Sequence, residues 1–328
     1  MAAMTTATTD VAESDDISVS RVPSAQARGL AADNLDLVAM SPGLVAYNLG
    51  YLCLSWAVAI GAITLFWLEP AWYTFALAFL IVSSRQQALL NCEHECVHRK
   101  FVPNRLLNDF IGMFFCAGPV GSPFSAAQAR HLAHHRLLTL PDDPDRHLHN
   151  AEPPRDTRWG LVRYFVSGLL GGYAVMVLLG PQDRPTQPSK GSARRDIIAL
   201  LVSQAIIGVG LSLVFAWWVY PVLWLAPLAS LTALCHLVRS FVEHAVTNEE
   251  MNRHHNRLIT IRSNLLERGL VSPYYMNYHA EHHLMPSVPA PRLPKLQNRL
   301  ARREDVPPVL RRTSYGSALG RYLRALRG

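Results

Sequence analysis

"GLVAYNLGYLCLSWAVAIGAITLFWL", residues 43–68, contains no charged side chain. A helix needs about 20 consecutive apolar residues to cross a bilayer, and this stretch is longer than that. After the short connector "LEP", a second uncharged run begins at Ala71 and continues to Arg85. We therefore predict a hairpin of two membrane-spanning helices, with tryptophan and tyrosine side chains at its tip, where a membrane interface favours them.

The same pattern recurs after the polar linker at 181–195, with apolar arms at 197–216 and 219–238. The tip of this second hairpin, "FAWWVYPVLW", is also aromatic and has no basic residue. The segment that follows, 239–328, has 15 lysines and arginines against 7 acidic residues. Because basic segments stay on the cytoplasmic side of a membrane, we predict that both tips lie outside and both chain ends lie in the cytoplasm.

The composition agrees with residence in a membrane. Half of the residues are hydrophobic and only 17% are charged, against about 25% in a typical soluble domain. The net charge of +7 suits anionic lipid or an acidic protein partner, and no nucleic-acid-binding motif is present. The five cysteines are predicted to be free thiols, neither paired in disulfides nor bound to metal.

Three regions are predicted along the chain. Residues 1–39 are acidic and lack a signal-peptide pattern, which indicates a disordered tail. Residues 40–305 form the membrane domain, and the basic segment 306–328 ends in "YGSALGRYLRALRG", which suits an interfacial helix. The predicted fold is an all-α integral membrane protein, with four transmembrane helices in two hairpins and a cytoplasmic helical cap.

The predicted cap carries three clusters of histidine. They are "HECVH" at 94–98, "HLAHH" at 131–135 and "HAEHH" at 279–283. Side chains at i, i+3 and i+4 share one face of a helix, so each cluster presents its imidazoles together. A capping box of Ser125 and Gln128 is predicted to begin the helix of the second cluster.

Two ambiguous apolar runs, 105–120 and 160–180, lie between these clusters. If either run crossed the membrane once, it would place histidine clusters on opposite faces of the bilayer. Clusters that meet at one site cannot be separated in this way. We therefore predict that both runs lie in the interface or re-enter the membrane, which Arg163 also favours.

Eight clustered imidazoles are too many for one tetrahedral zinc ion, and they match two ions of higher coordination. His244, in "RSFVEH" after the fourth span, is a candidate ninth ligand, whereas His236 lies deeper and is predicted to pack. The candidate metal ligands are His94, His98, His131, His134, His135, His279, His282 and His283, with His244 as the candidate ninth.

Several neighbouring side chains have open or minor roles. Ser240 could hold a metal-bound water from one turn before His244. Glu95, Glu243 and Glu281 either orient imidazoles or are solvated helix charges. The histidines without a helical partner pattern are predicted to be solvated or lipid-facing, and they are His147, His149, His254 and His255.

Two other functions remain open on the motifs alone. "HECVH" matches the H-E-x-x-H pattern of zinc proteases, in which Glu95 would act as the general base. That short pattern leaves most of the histidines unexplained. A metal transporter would place its site near the bilayer midplane on broken helices, whereas these histidines lie in charged segments beyond the spans.

Together the motifs resemble the membrane-bound fatty acid desaturase and hydroxylase superfamily, bacterial type, over residues 43–300. "HECVHRKFVPNRLLNDFIG", "RHLAHHRLLTLPDDPD" and "NYHAEHHLMPSVPAPRLPKL" resemble its three histidine boxes, and "RSFVEH" resembles the segment that adds a further histidine. The resemblance implies a non-haem di-iron centre on the cytoplasmic face of a bacterial inner membrane, held by the nine histidines. Some relatives have asparagine where Ser240 stands, which puts its water-holding role in doubt.

The resemblance also implies the chemistry. O₂ would be the co-substrate, and the first expected reaction is desaturation of a lipid acyl chain. Hydroxylation of a lipid or carotenoid-like substrate is the second expectation, and a membrane zinc protease is a distant third. Because the sequence has no fused "HPGG" motif and no nucleotide fingerprint, electrons would come from a separate ferredoxin, or from a cytochrome b5-like protein with its reductase. The arginines could bind such an acidic donor or contact lipid.

Overall fold

The structure is a computed structural model that describes residues 30, 32–149, 155–179 and 189–326. Most of the acidic tail predicted at 1–39 therefore lies outside the described residues. The chain is mostly helical. In the first half, the helices are α1 (Leu35–Val38), α2 (Pro42–Leu68), α3 (Trp72–Val97), α4 (Arg105–Ile111), α5 (Phe124–Leu137), α6 (Arg146–His149), α7 (Arg158–Leu169) and α8 (Gly172–Leu179).

The second half contains further helices and two short strands. The helices are α9 (Lys190–Val214), α10 (Ala233–Val242), α11 (Asn248–Met251), α12 (Leu265–Leu270), α13 (His279–Leu284), α14 (Leu293–Leu300) and α15 (Tyr315–Ala325). The strands are β1 (Ile259–Ile261) and β2 (Leu310–Arg312). Shorter π-helical and 3₁₀ turns lie at Gly112–Ala117, Gly118–Val120, Pro221–Leu225, Leu228–Thr232 and Ala290–Arg292.

Among the residues that the structure describes, three helical segments are long and apolar enough to cross a membrane, namely Pro42–Leu68, Gly191–Val214 and Pro221–Val242. A fourth is possible if Arg105–Val120 and Phe124–Leu137, which meet at an angle of 97°, are counted as one broken span. These segments are consistent with a membrane protein. The predicted interfacial or re-entrant position of 105–120 stays a prediction, although the sharp bend accommodates it.

Helix α3, predicted as the second span, is not among these segments. Its second half carries polar side chains that bind other parts of the protein. The amide of Gln86 donates to the carbonyl of Trp224 at 2.7 Å, and that of Asn91 donates to the carbonyl of Pro273 at 2.7 Å. These bonds fix α3 against the last apolar segment and against the loop before α13, which brings two histidine clusters together.

The start of α5 differs from the prediction. Ser125 and Gln128 form no capping box, and the helix begins at Phe124 with no side-chain cap of its own. Instead, the carboxylate of Asp196 accepts from the backbone N–H groups of Ser125 at 3.0 Å and Ala126 at 3.2 Å. A carboxylate at a helix N-terminus is a stronger acceptor than a hydroxyl. The second histidine cluster is thus anchored by α9.

We expect Asp196→Ala to destabilise the protein by about 1–2 kcal/mol, the usual cost of a lost helix cap. Asp196→Asn, which keeps one amide oxygen as acceptor, should cost less. Thermal unfolding of the detergent-solubilised protein measures both, with replacement of the exposed Asp142 by alanine as the control. Equal midpoints for Asp196→Ala and the unchanged protein would show that α5 does not depend on this carboxylate.

The fold departs from an all-α architecture in one place. Strand β1 pairs in parallel with β2, with Ile259 opposite Leu310. The helix that follows, α15, buries Tyr315 and packs the ring of Tyr322 4.8 Å from that of Phe241. The C-terminal residues therefore contact the segment that leads from the last apolar helix to the third histidine cluster. The predicted boundaries at residues 39 and 305 stay predictions.

Candidate metal centre

The structure brings all nine predicted ligands together in two groups. Within each group the nitrogen atoms that could bind a metal lie within 4.8 Å of one another. Group one is His94, His98, His131, His135 and His282. Group two is His134, His244, His279 and His283.

Two helices contribute ligands to both groups. On α5, His131 and His135 belong to group one and His134 to group two. On α13 the assignment is reversed, because His279 and His283 belong to group two and His282 to group one. Residues four apart share a helix face, whereas consecutive residues are rotated by about 100°. Each H-x-x-H-H motif can therefore supply both sides of a two-ion site.

In group two the Nε2 atoms converge. The Nε2 of His244 lies 3.1 Å from that of His134 and 2.9 Å from that of His279. The Nε2 of His283 lies 3.0 Å from that of His279. All four side chains are buried. Such close contact between ring nitrogens requires either a shared proton or a cation between them.

The other ring nitrogens of two ligands face acceptors. His134 Nδ1 lies 2.8 Å from a carboxylate oxygen of Asp143, and His244 Nδ1 lies 3.2 Å from the carbonyl oxygen of Arg257. Each imidazole can therefore carry an N–H at Nδ1 and use Nε2 as a metal ligand. The donor set fits a metal ion.

Four predicted ligands that lie outside the apolar segments are held in the neutral form. Burial lowers the pKa of His244, His279, His282 and His283, and neighbouring imidazoles lower it further. Neutral imidazole is the form that binds metal ions. At neutral pH these side chains are ready to act as ligands.

In group one, Nε2 atoms also lie close together. The Nε2 of His135 lies 2.8 Å from that of His131 and 3.0 Å from that of His282. Both ring nitrogens of His94, and Nε2 of His98, are buried without a hydrogen-bond partner among the described residues. Buried polar atoms without partners are uncommon in folded proteins. A bound ion would partner one ring nitrogen of His94 and Nε2 of His98. The rings of His135 and His283, 4.1 Å apart, join the two groups.

Glu243 is a second acidic side chain that faces a predicted ligand. Its Oε2 lies 3.3 Å from Nδ1 of His279, close but outside hydrogen-bond geometry. Its Oε1 accepts from the hydroxyl of Tyr315 at 2.7 Å. Burial raises the pKa of Glu243 to about 7, against the opposing effects of Arg239 and Tyr315. Glu243 thus links α15 to the predicted ligand His279. The sequence had left two alternatives for Glu243, a place beside an imidazole or a solvated helix charge, and the structure places it beside an imidazole.

The other two glutamates fit neither alternative. Glu95 is buried and accepts from the backbone N–H of Ala290 at 3.1 Å. Glu281 is also buried, and it accepts from Thr260 at 2.5 Å and from Gln297 at 3.1 Å. Neither carboxylate is solvated, and both support the loops around α13. The protease hypothesis needs Glu95 as a general base beside the metal, whereas its carboxylate is engaged by the backbone.

The prediction that His149 is solvated or lipid-facing is wrong. His149 is buried, and its Nε2 donates to a carboxylate oxygen of Asp143 at 2.9 Å. The guanidinium of Arg257 donates to its Nδ1 at 3.1 Å. Sequence reasoning overlooked Asp143, which joins His149 to the predicted ligand His134. The only signal was the acidic run "LPDDPD" that closes the second box.

The remaining histidines lie away from the two groups. His147 and His254 are half-buried, and His255 is exposed. The ring of His236 lies 5.8 Å from that of Tyr173, in agreement with its predicted packing role. All five cysteines are free.

Comparison with known proteins identifies the family. The sequence model of the family described as "Fatty acid desaturase" matches residues 70–314, a range that contains all nine histidines. The chain belongs to the fatty acid desaturase family. The resemblance inferred from the histidine boxes is therefore confirmed. Membership establishes an oxidoreductase of the desaturase type, and it is consistent with the two histidine groups described above.

Three curated relatives of this desaturase-family protein are similar over different lengths. Dihydrorhizobitoxine desaturase from Bradyrhizobium elkanii is 26% identical over 267 residues, covering 73% of this chain and 71% of the relative. The sn-1 oleoyl-lipid 12-desaturase of Anabaena variabilis is 27% identical, covering 37% of this chain and 30% of the relative. Zeaxanthin 4-ketolase from Chlamydomonas reinhardtii is 29% identical, covering 40% and 28%. The names of the first two relatives describe desaturation, and the name of the third describes formation of a carbonyl group.

Proposed function

We propose that this protein is an O₂-dependent, di-iron membrane oxidoreductase that introduces a double bond into a lipid acyl chain. The observation that carries the proposal is the pair of adjacent, buried histidine groups with convergent Nε2 atoms. The ligands are His94, His98, His131, His134, His135, His244, His279, His282 and His283.

Two iron ions held by these histidines would supply the oxidising power needed to break an unactivated C–H bond, with O₂ and electrons from the donor. Asp143 and the carbonyl of Arg257 face Nδ1 of His134 and His244, and they thereby orient Nε2 of both rings toward the group. The buried site excludes bulk water from the reacting chain. After one hydrogen atom is removed from the chain, removal of a second one gives the alkene, whereas insertion of oxygen gives an alcohol. The position of the substrate decides between these two products.

We also propose the membrane arrangement and the partners. Two hairpins of apolar helices would hold a helical cap at the cytoplasmic face of a bacterial inner membrane, with both chain ends on that side. The basic residues of 239–328 support this orientation. A separate electron donor, a ferredoxin or a cytochrome b5-like protein with its reductase, would bind the arginine-rich surface.

Oxygen insertion is the second candidate reaction. It would produce an alcohol from a lipid or a carotenoid-like substrate with the same metal centre. The observation that favours it is the similarity to a zeaxanthin 4-ketolase, whose name describes formation of a carbonyl group on a carotenoid. Both reactions require the same ligands, so product analysis has to distinguish them.

We expect the purified protein to contain two iron ions per chain and to desaturate a lipid when a ferredoxin, its reductase and O₂ are supplied. Metal analysis and mass spectrometry of the extracted lipids test this. Loss of two hydrogen atoms indicates desaturation, and gain of one oxygen atom indicates hydroxylation. The same protein without reductant is the control. One zinc ion per chain with no iron would overturn the proposal and favour the protease hypothesis.

A further inference from the structure

Besides the predicted ligand His94, two buried polar side chains of helix α3 make no side-chain hydrogen bond to the described residues. Gln87 has no solvent exposure, and neither its amide oxygen nor its amide nitrogen has a hydrogen-bond partner among the described residues. Ser83, 1% exposed, also has an unpartnered hydroxyl. Buried polar groups are nearly always satisfied in native proteins. The described residues therefore leave both side chains without a hydrogen-bond partner.

The neighbouring residue shows that the surrounding helices can satisfy an amide at this depth. Gln86 donates to the carbonyl of Trp224 at 2.7 Å and accepts from the hydroxyl of Thr232 at 2.9 Å. Gln87, rotated by about 100° on the same helix, has neither kind of contact. The missing partner is thus specific to one face of α3 and does not reflect a general lack of polar groups nearby.

That face is the one that carries the first histidine cluster. Ser83 and Gln87 are four residues apart, and His94 follows Gln87 by seven residues, so all three share one side of the helix. At 1.5 Å per residue, Gln87 lies about 10 Å from His94 along the helix axis. The displacement is toward the apolar N-terminal half of α3.

We propose that Ser83 and Gln87 bind a hydrogen-bonding group within the substrate's chain. This inference rests on the proposed function and specifies its substrate class. The amide of Gln87 offers one acceptor and one donor site, which a hydroxyl group fills because it can donate and accept together. A plain hydrocarbon chain would leave the amide unsatisfied, whereas polar side chains in membrane helices usually serve function.

Binding to the zinc-loaded full-length protein tests the proposal, because zinc allows the ligand to bind without turnover. The probes are octadecanoic acid and the series of hydroxyoctadecanoic acids with the hydroxyl placed along the chain. We expect one isomer to bind on the order of tenfold more tightly than octadecanoic acid, since it satisfies the buried amide. In Gln87→Leu, the plain acid should bind at least as tightly as that isomer.

Two further variants separate recognition from folding. Ser83→Ala should reduce the preference for the hydroxylated isomer, with zinc content unchanged. Gln86→Leu is the matched control, because it removes hydrogen bonds made within the protein; it should lower the unfolding midpoint and leave the binding preference intact. Gln87→Leu should keep or raise the midpoint, since no internal bond is lost.

Equal affinity for every acid in the unchanged protein would overturn the inference and leave water as the partner of Gln87. A preference that persists in Gln87→Leu would overturn it as well, by placing the recognition elsewhere. Failure of the proposed function gives a different result, because the binding preference would remain while iron and oxidation would be absent from the purified protein.

Discussion

Replacing His282 by alanine should abolish oxidation and lower the iron content. The Nε2 of His282 lies 3.0 Å from that of His135, and both belong to the five-histidine group. Loss of this imidazole leaves four ligands and a cavity that admits water. Because loss of an outer partner alone typically costs about 10- to 100-fold, we expect activity to fall by more than about 100-fold. Iron analysis and product yield measure the two effects.

His131→Ala should behave in the same way, since its Nε2 lies 2.8 Å from that of His135. His255→Ala is the control, because that side chain is exposed and lies outside both groups. Full activity with two irons in either ligand variant would remove the residue from the proposed set. A loss of activity in His255→Ala would instead indicate a general effect of mutating surface histidines.

Glu243→Ala should weaken metal binding by about 10- to 100-fold, the usual effect of removing a group that orients a metal-bound histidine. The carboxylate faces Nδ1 of His279 at 3.3 Å and accepts from Tyr315 at 2.7 Å. Without it, the His279 ring loses the carboxylate that faces its Nδ1, and the buried hydroxyl of Tyr315 loses its acceptor. Competition with a metal chelator measures the affinity directly.

Glu243→Gln retains an amide oxygen in the same place, so it should have a smaller effect. Tyr315→Phe tests whether the C-terminal helix contributes through this contact, and it should weaken metal binding less than Glu243→Ala does. Glu249→Ala, at an exposed position nearby, serves as the control. If Glu243→Ala binds metal as tightly as the unchanged protein, then His279 is positioned by packing alone.

The sequence was sufficient to predict which histidines would meet. Regular spacing of i, i+3 and i+4 keeps His131, His134 and His135 near one side of α5, so the sequence predicted that they would lie close together. It did not predict that His134 would belong to one group and His131 and His135 to the other. His244 has no periodic partner; its position after the fourth apolar run made it a candidate, and the family resemblance added it to the ligand set.

Other features depend on contacts between residues far apart in the chain. Asp143 and His149 follow an irregular loop, so no periodicity indicated that a carboxylate there would join two buried imidazoles. The cap of α5 was predicted from the local residues Ser125 and Gln128, whereas Asp196, 71 residues after Ser125, supplies it. A strong acceptor from another helix outcompeted the local one.

The sheet was missed for a similar reason. Strands β1 and β2 have three residues each, too few for an alternating pattern to stand out. Their pairing joins residues about 50 positions apart, and only the folded chain brings them together. Through this pairing, the C-terminal strand lies next to Thr260. The hydroxyl of Thr260 donates to Glu281, which lies within the third cluster.

The division of adjacent histidines between the groups has a mechanical consequence. His134 and His135 are joined by one peptide bond, as are His282 and His283, and in each pair one residue belongs to each group. A rotation of α5 or α13 that draws a ligand away from one ion must also displace a ligand of the other. In the proposed di-iron enzyme, loading and loss of the two metals should therefore be cooperative, with few molecules holding a single ion.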